Sequence, residues 1–428
     1  MNSWMKAAIG SAVALAVAVG VVATGAALVL RAKPGEWSVP LRLAGLRFDA
    51  HAPTLIRWAR HPIARPLLDG RTLATRAGRW TLRTRAAGAI EADCTPCRLR
   101  IGALGETPVA LAGARLVLHA RGADRFDGSL HLAAEGEPVV LPWQATLRPD
   151  ALVMQARLAP TPIARAISIL GDAVPEMRHA QVAGEISLGL PAGGSARGFS
   201  IERIAPVLAD VEVRGLGTET LADADVRGRC RPQPAGGRIE GWIQNAVIAA
   251  EDQRFMQHPG YEVDAWVAAW RRNAAQDGGE ALQGASTITM QLAKILHTGD
   301  ERSAARKVRE WLYAVEMERT LGKGRILQLY LAVLPWGDGV CGAEAAARHH
   351  LGKSANQLRP REAAWLASLL INPDRQLRRW SSDEAGARAR VAGVLHGMRR
   401  LPVERREAEL EALARWRPPV SRLTSSGP

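Results

Sequence analysis

The sequence predicts a multidomain α+β protein with three parts: an N-terminal transmembrane helix, a β-rich domain, and a helical region that carries polar motifs. Residues Ala7–Leu30 hold no charged side chain, and short segments between residues 34 and 230 alternate polar and apolar residues as strands do. Later segments, such as RSAARKVREWLYAVEMER, have helical spacing. The length of 428 residues and the hydrophobic content of 47% allow two or three domains with their own cores.

The apolar run of 24 residues, Ala7–Leu30, predicts a membrane anchor over residues 1–33. At about 1.5 Å per residue, it is long enough for a hydrocarbon core of about 30 Å. Cleavable signals usually have apolar regions of about 7 to 15 residues, so we expect a retained, single-pass anchor. Lys6 precedes the run while Arg31 and Lys33 follow it, so the flanking charges indicate no orientation.

Residues 34–230 are predicted to form a β-rich domain. The segments RWTLRTR, ARLVLHAR and DRFDGSLHLA, and then VVLPWQATLRPDALVMQARL, predict antiparallel strands of a meander or a sandwich, with one helix near PTPIARAISIL. The role of this domain is open between spacing, lipid contact, partner binding and a solvated scaffold. The Pro- and Gly-containing stretch RPQPAGGRIE, residues 231–240, predicts the linker that follows.

The four cysteines give only a loose indication of an oxidising compartment. Cys94 and Cys97 form CTPC at a predicted strand end, which favours a local disulfide or two free thiols over redox catalysis. Cys230 and Cys341 are isolated in the sequence.

Two groups of charged residues predict chemistry on a phosphorylated sugar. Glu251 and Asp252 form a carboxylate pair, and Arg306, Lys307 and Glu310 lie three and four residues apart, which places their side chains on one helical face. Such a reaction needs a general base to take a hydroxyl proton and cations to stabilise a phosphate leaving group. The alternative for the second group is a surface helix with ordinary ion pairs.

Five segments, in order, resemble the motifs of the peptidoglycan glycosyltransferase domain (glycosyl transferase family 51), the lipid II polymerase of bifunctional penicillin-binding proteins and of monofunctional transglycosylases. The first reads EDQRFMQHPG against the usual EDxxFxxHxG, the second GASTITMQLAK against GGSTITQQLAK, and the third is a complete RKxxE. The fourth is RILQLYLAVLPWGDGVCGAEAAARHHLGK and the fifth LRPREAAWLASLLINPDR. The resemblance covers roughly residues 240–375.

Several positions depart from the family pattern. Ala285 and Met290 differ in the second motif, Ala332 stands where Asn is usual, and His350 and Leu351 replace a Tyr-Phe pair. Every charged residue of the implied mechanism is retained, so we expect an active but divergent enzyme.

The resemblance implies a mainly α-helical, lysozyme-like domain over residues 241–380, with Glu251 as general base and Glu310 as second catalytic carboxylate. Glu310 would position a divalent cation (Mg or Mn) or orient the neighbouring basic side chains, and no tightly bound cofactor is expected. The substrate-binding residues implied are Asp252, Ser286, Thr287, Gln291, Lys294, Arg306 and Lys307. Phe255, His258 and Gly260 are interpreted as structural support.

Two of these assignments have alternatives that the residues alone leave open. Asp252 would orient Glu251 or act as a dipole partner at a helix end. Ser286, Thr287 and Thr289 would cap the following helix as readily as contact substrate. The pair His349-His350 has no further metal-ligand residues at useful spacing.

The implied partners are lipid II, the nascent glycan chain, the cytoplasmic membrane and other cell-wall synthesis proteins. The resemblance implies a catalytic domain on the periplasmic or extracytoplasmic side of the bacterial inner membrane. The net charge of +14 suits an anionic membrane surface and a diphosphate lipid, whereas no nucleic-acid-binding motif accompanies it. Trp266 and Trp270 lie four apart on a helical face, which fits a membrane-interface segment or a core-facing stripe.

Two other functions remain open at this point: a noncatalytic envelope scaffold that binds lipid II, and a lysozyme-like lytic enzyme. Residues 381–428 predict an Arg-rich helical extension and tail. No SxxK, SxN and KTG set follows the motifs, so we expect a monofunctional polymerase without a transpeptidase domain.

Overall fold

The computed structural model describes most of the chain and divides it into two compact units. One unit comprises residues up to Gly171 with Glu185–Ala209 and Trp270–Leu282; the other comprises Asp172–Gly184, Asp210–Ala269 and Gln283–Pro428. The described residues are 31–33, 36–43, 46–59, 61, 65–75, 78–85, 88–99, 109–133, 136–148, 150–195, 198–201, 203–224, 238–275, 285–301, 303–337 and 339–419.

The first unit is built on strands, as predicted. The strands are β1 (Ser38–Leu43), β2 (Leu46–His51), β3 (Thr72–Thr75), β4 (Gly78–Thr84), β5 (Ile90–Leu99), β6 (Val109–Leu111), β7 (Ala114–Ala120), β8 (Arg125–Leu132), β9 (Val139–Leu147), β10 (Ala151–Pro162), β11 (Gln181–Ser195), β12 (Gly198–Ile201) and β13 (Ala205–Arg214). Three short helices accompany them: α1 (Ala52–Ala59), α2 (Arg65–Leu68) and α3 (Ile163–Ser168).

Most of these strands form one antiparallel meander. Strands β3 to β5 and β7 to β12 neighbour one another in chain order within an 11-stranded sheet, while β1 pairs with β2 separately. The β8–β9 register runs from Arg125 opposite Thr146 to Leu132 opposite Val139. Consecutive antiparallel strands need only short connections, which explains the frequent turn residues between the alternating segments.

The alternation in sequence places apolar residues on one face of the sheet. Every other residue of β9 is buried, and Trp143 and Leu141 belong to the unit's apolar clusters. Ion pairs join strands elsewhere: Arg115 Nε lies 2.6 Å from Asp93 Oδ1, a pair that raises the pKa of Arg115 mainly through the hydrogen bond. The period-two alternation along these strands therefore accounts for both the buried apolar residues and the charged residues that pair between strands.

The cysteines differ in part from the sequence expectation. Cys94 and Cys97 form a disulfide inside β5, with their Cα atoms 5.7 Å apart. Cys341, isolated in the sequence, is also disulfide-bonded. Sequence spacing detects only the local pair, because a long-range pairing depends on the fold.

The second unit is mainly helical. Its helices are α4 (Trp242–Glu251), α5 (Val263–Ala275, which continues past Ala269), α6 (Ile288–Ala293, followed by a π-helical turn Lys294–Thr298), α7 (Ala304–Thr320), α8 (Gly322–Val333), α9 (Ala343–Leu351), α10 (Pro360–Leu369), α11 (Pro373–Ser382), α12 (Glu384–Gly397) and α13 (Val403–Arg415). Single 3₁₀ turns occur at Pro175–Arg178, Thr218–Leu221 and Ala355–Gln357.

One apolar core extends beyond the predicted domain limits of residues 241 and 380. Val391, Leu395 and Met398, from the predicted C-terminal extension, are fully buried in the same cluster as Trp365. Ile239, in the predicted linker, is also buried there. These helices therefore complete the core of the helical unit. The motif spacing did not indicate this, because motifs mark chemistry and not packing.

The predicted anchor, Ala7–Leu30, lies outside the described residues. Among those that are described, no helix has the length and apolar character needed to cross a membrane.

Candidate active site

Glu251 is the last residue of α4, and its carboxylate has a fixed hydrogen-bond donor. Gln291 Nε2, on α6, donates to Glu251 Oε2 at 2.9 Å. The carboxylate is half-buried, so it can contact both this donor and an entering group. A helix end is a rigid position, which suits a residue whose proton acceptor must be held in place.

Tyr330 on α8 determines which way the Gln291 amide faces. The Tyr330 hydroxyl donates to Gln291 Oε1 at 2.6 Å, and the ring is fully buried. With its carbonyl occupied by Tyr330, the amide presents its NH₂ group to Glu251. The three side chains thus form one directed hydrogen-bond chain that ends on the carboxylate.

The surroundings of Glu251 act on its pKa in both directions. Burial raises the pKa most, and the charge of Asp252 adds to that, whereas the Gln291 hydrogen bond and the positive charge of Arg390 lower it. Arg390, on α12, is itself held by donating from Nε to the Ser368 carbonyl at 2.9 Å. A carboxyl with a raised pKa is a stronger base than an ordinary glutamate.

Asp252 faces into the protein. Its side chain is 3% exposed, and its oxygens accept hydrogen bonds from His258 Nε2 at 2.9 and 3.1 Å and from the Ile288 N–H at 3.0 Å. Gly260 N–H donates to the other ring nitrogen of His258, so that Nε2 carries the proton. These contacts tie the first motif to the start of α6 and leave Asp252 turned away from the predicted substrate contact.

Gly260 and Thr287 close the same turn. Gly260 has a φ of +90°, and a Cβ there would lie 2.8 Å from Glu318 Cγ and 3.0 Å from the Ala314 carbonyl oxygen. Thr287 Oγ1 donates to the Gly260 carbonyl at 2.6 Å and accepts from the Met290 N–H at 3.2 Å as the N-cap of α6. Of the alternatives for Thr287, these contacts favour the cap.

The Arg306, Lys307 and Glu310 side chains meet on one face of α7, as their spacing predicted. Glu310 is fully buried; its Oε1 accepts from Arg306 and its Oε2 lies 2.7 Å from Lys307 Nζ. Lys307 Nζ also donates to Ser286 Oγ. A buried carboxylate paired on both oxygens holds two cations in fixed positions, unlike the ion pairs of a solvated helix.

Lys307 has an unusual acid–base property. Its pKa is lowered to about 8, first by burial and then by the charges of Arg306 and Lys294. Lys294 Nζ lies 2.9 Å from Asp300 Oδ1 and is 40% exposed. Three cations of α7 and the preceding turn therefore act on one another.

One short segment contacts both chemical groups. Ser286 accepts from Lys307, and five residues later Gln291 donates to Glu251. The base and the cations are therefore brought to the two ends of the second motif. This juxtaposition is the arrangement that removal of a hydroxyl proton, combined with departure of an anion, requires.

The donor set around Glu310 bears on the predicted divalent cation. Both Glu310 oxygens already face cationic side chains, and the described part of the chain holds no cluster of three or more His, Cys, Asp or Glu residues that suits a metal. The residues present fit the second reading of Glu310, the orientation of basic side chains, better than metal coordination.

Two departures from the family pattern have different surroundings. Met290 is buried within α6, whereas Ala332 on α8 is exposed.

Trp266 stacks on Tyr261, with ring centroids 5.5 Å apart, and meets Trp311 edge-on.

Sequence reasoning did not include Tyr330 and Arg390 among the site residues. Tyr330 lies within the quoted fourth motif, so the sequence places it near the site. Its hydrogen bond to Gln291 is visible only in the structure. Arg390 lies beyond the motifs, in an Arg-rich segment where nothing in the sequence distinguishes it from its neighbours.

The helical unit thus combines a hydrogen-bonded carboxylate with fixed cations, an arrangement that suits acid–base chemistry with release of an anion. Comparison with known proteins finds one family match. Residues 227–399 match the family model described as Transglycosylase, in agreement with the family that the motifs resemble.

Curated relatives agree with that match. The chain is similar to the biosynthetic peptidoglycan transglycosylases of Nitrosomonas eutropha (46% identical over 136 residues, covering 32% of this chain and 55% of that protein), Laribacter hongkongensis (41% over 155 residues, 36% and 66%) and Bordetella pertussis (47% over 138 residues, 32% and 57%). The chain spans between about half and two thirds of the length of these relatives.

Proposed function

We propose that this protein is a peptidoglycan glycosyltransferase that polymerises lipid II into glycan strands. The observation that carries the proposal is the second motif's double contact, with Gln291 on the Glu251 carboxylate and Ser286 on the Lys307 ammonium. The names of the similar proteins, biosynthetic peptidoglycan transglycosylases, support the same activity.

In the proposed reaction Glu251 takes the proton of the 4-hydroxyl of the acceptor's GlcNAc. The hydroxyl oxygen then forms a bond to C1 of the donor's MurNAc from the face opposite the leaving group, which inverts that carbon. The bond between C1 and the phosphate oxygen breaks, and its electron pair leaves with undecaprenyl diphosphate. Burial supports this role because it raises the pKa of Glu251 and strengthens it as a base.

Cations stabilise the departing diphosphate in this proposal. Arg306 and Lys307 are held by Glu310, and Lys294 adds a third positive charge nearby in the chain. Preorganised charges stabilise a developing anion without the cost of reorienting at the moment of reaction. We assign Glu310 the role of keeping both cations in position. Whether the activity depends on Mg or Mn is tested by adding a chelator to the assay.

The substrate places the reaction at a membrane. We propose a single-pass anchor at Ala7–Leu30 and a lysozyme-like catalytic unit on the extracytoplasmic side of the inner membrane, where lipid II presents its sugars. The net charge of +14 supports attraction to an anionic surface and to a diphosphate lipid.

The test is polymer formation from purified lipid II by detergent-solubilised protein. Glu251→Gln and Glu310→Gln are compared with Glu411→Gln, a matched change at an exposed ion pair on α13. We expect glycan chains from wild type and Glu411→Gln only, with equal folding by circular dichroism. Equal polymerisation by Glu251→Gln contradicts the proposal.

Two further readouts separate the alternatives. A lytic enzyme releases soluble fragments from purified glycan and makes no polymer. A scaffold binds lipid II without turnover, and its Glu251→Gln variant behaves as wild type.

A further inference from the structure

A buried carboxylate outside the catalytic cluster anchors the helix that carries that cluster. Glu316, on α7, is fully buried. Its Oε1 accepts the Leu216 N–H at 2.9 Å, and its Oε2 accepts the Thr218 N–H at 3.2 Å and the Thr218 hydroxyl at 2.8 Å. Three donors satisfy a charge that would otherwise be costly to bury, so this contact is specific and hard to rearrange.

A second buried ion pair holds α7 on the same side. Arg309 Nε lies 2.7 and 2.9 Å from the two oxygens of Glu176, whose side chain is 3% exposed. Arg309 and Glu316 are seven residues apart, which is about two helical turns, so they share a face. Two attachments on one face restrain the rotation of α7 about its axis.

The partners of both attachments precede the family domain. Glu176 belongs to the 3₁₀ turn Pro175–Arg178, and Leu216 and Thr218 follow strand β13, whereas the family match begins at residue 227. These upstream residues nevertheless belong to the same compact unit as α7.

We propose that Leu216 and Thr218 form a latch that positions α7, and through it Arg306, Lys307 and Glu310, for the reaction. The inference rests on the proposed function. Side-chain ends lie about 5 to 6 Å from a helix axis, so a rotation of about 10° moves them by about 1 Å. Displacements of about 1 Å at a catalytic group can reduce rates about 100-fold.

The experiment compares Thr218→Val, Thr218→Ser and Thr220→Val in the full-length, detergent-solubilised protein. Valine keeps the shape of threonine but removes the hydroxyl that donates a hydrogen bond to Glu316. Serine retains that hydroxyl. Thr220 is the matched control, because it lies in the same turn and its hydroxyl donates to the nearby Gly217 carbonyl and not to Glu316. The readouts are kcat and KM for lipid II, and amide hydrogen exchange over residues 304–320.

A latch predicts a fall of tenfold or more in kcat for Thr218→Val, a KM within about twofold of wild type, and faster exchange in α7. Thr218→Ser recovers most of the loss, and Thr220→Val matches wild type. An unchanged kcat in folded Thr218→Val overturns the proposal, as does equal loss in Thr220→Val. If Thr218→Val does not fold, Glu316→Gln replaces it, because it changes the acceptor of the same latch, with the same expected and overturning results for kcat and exchange.

Failure of the proposed function is distinguishable. If wild type makes no polymer, exchange alone decides the latch: faster exchange of α7 in Thr218→Val than in Thr220→Val supports it, and equal exchange overturns it.

Discussion

Lys307 gives the sharpest test of the proposed leaving-group site, because its charge should disappear within the working pH range. Burial, with help from the charges of Arg306 and Lys294, lowers its pKa from 10.5 to about 8. The ammonium is then about nine-tenths protonated at pH 7, half at pH 8 and about one-tenth at pH 9. A lysine at the ordinary value would remain charged throughout.

If the charged form stabilises the diphosphate, kcat/KM falls as pH rises through 8. We expect a decrease of about tenfold between pH 7 and pH 9, following the fraction of protonated lysine. The quantity kcat/KM is the correct one, since it reports ionisations of the free enzyme and is insensitive to the rise in pKa that a bound diphosphate causes. The assay is initial-rate polymerisation of lipid II across that range.

Lys307→Arg is the control, because a guanidinium stays charged at pH 9. Its absolute rate is expected to be lower, since arginine differs in shape, but its alkaline decrease should be absent. A second variant, Lys294→Met, removes one charge that lowers the Lys307 pKa, and therefore moves the decrease to higher pH. A flat wild-type profile to pH 9.5, or an identical decrease in Lys307→Arg, refutes the reasoning.

Three further predictions concern single side chains. Tyr330→Phe leaves Gln291 Oε1 without its donor, so we expect a loss of about 1 to 3 kcal/mol in urea unfolding and a lower kcat. Arg390→Met removes a charge that lowers the pKa of Glu251, so the acidic limb of kcat/KM should move to higher pH; an unmoved limb contradicts this. His350 is buried, and its pKa is lowered to about 4, mainly by burial. Between pH 6.5 and pH 4 its imidazole is therefore protonated in the unfolded chain but neutral in the folded protein. Stability should fall from about pH 6.5 to pH 4 by about 3 kcal/mol more in wild type than in His350→Phe, measured by urea unfolding at each pH.

The strand-rich unit was predictable because the polar and apolar pattern of each strand lies within a few consecutive residues. A period of two in β9 places Val139 and Leu147 on the buried side without reference to distant residues. The helix near PTPIARAISIL likewise corresponds to Ile163–Ser168. The choice between meander and sandwich was not local, since it depends on which strands pair.

Within the site, helical spacing alone determined that Arg306, Lys307 and Glu310 share a face, and motif resemblance selected Glu251. The sequence by itself therefore determined the chemical groups and the family. Only the tertiary structure decided what each group contacts: that Asp252 binds His258 and not open space, and that a threonine upstream of the domain holds α7. The Gln291–Glu251 and Thr218–Glu316 contacts join residues 40 and 98 positions apart. Their partners are selected by packing and by the need to satisfy buried charge, which no short sequence pattern records.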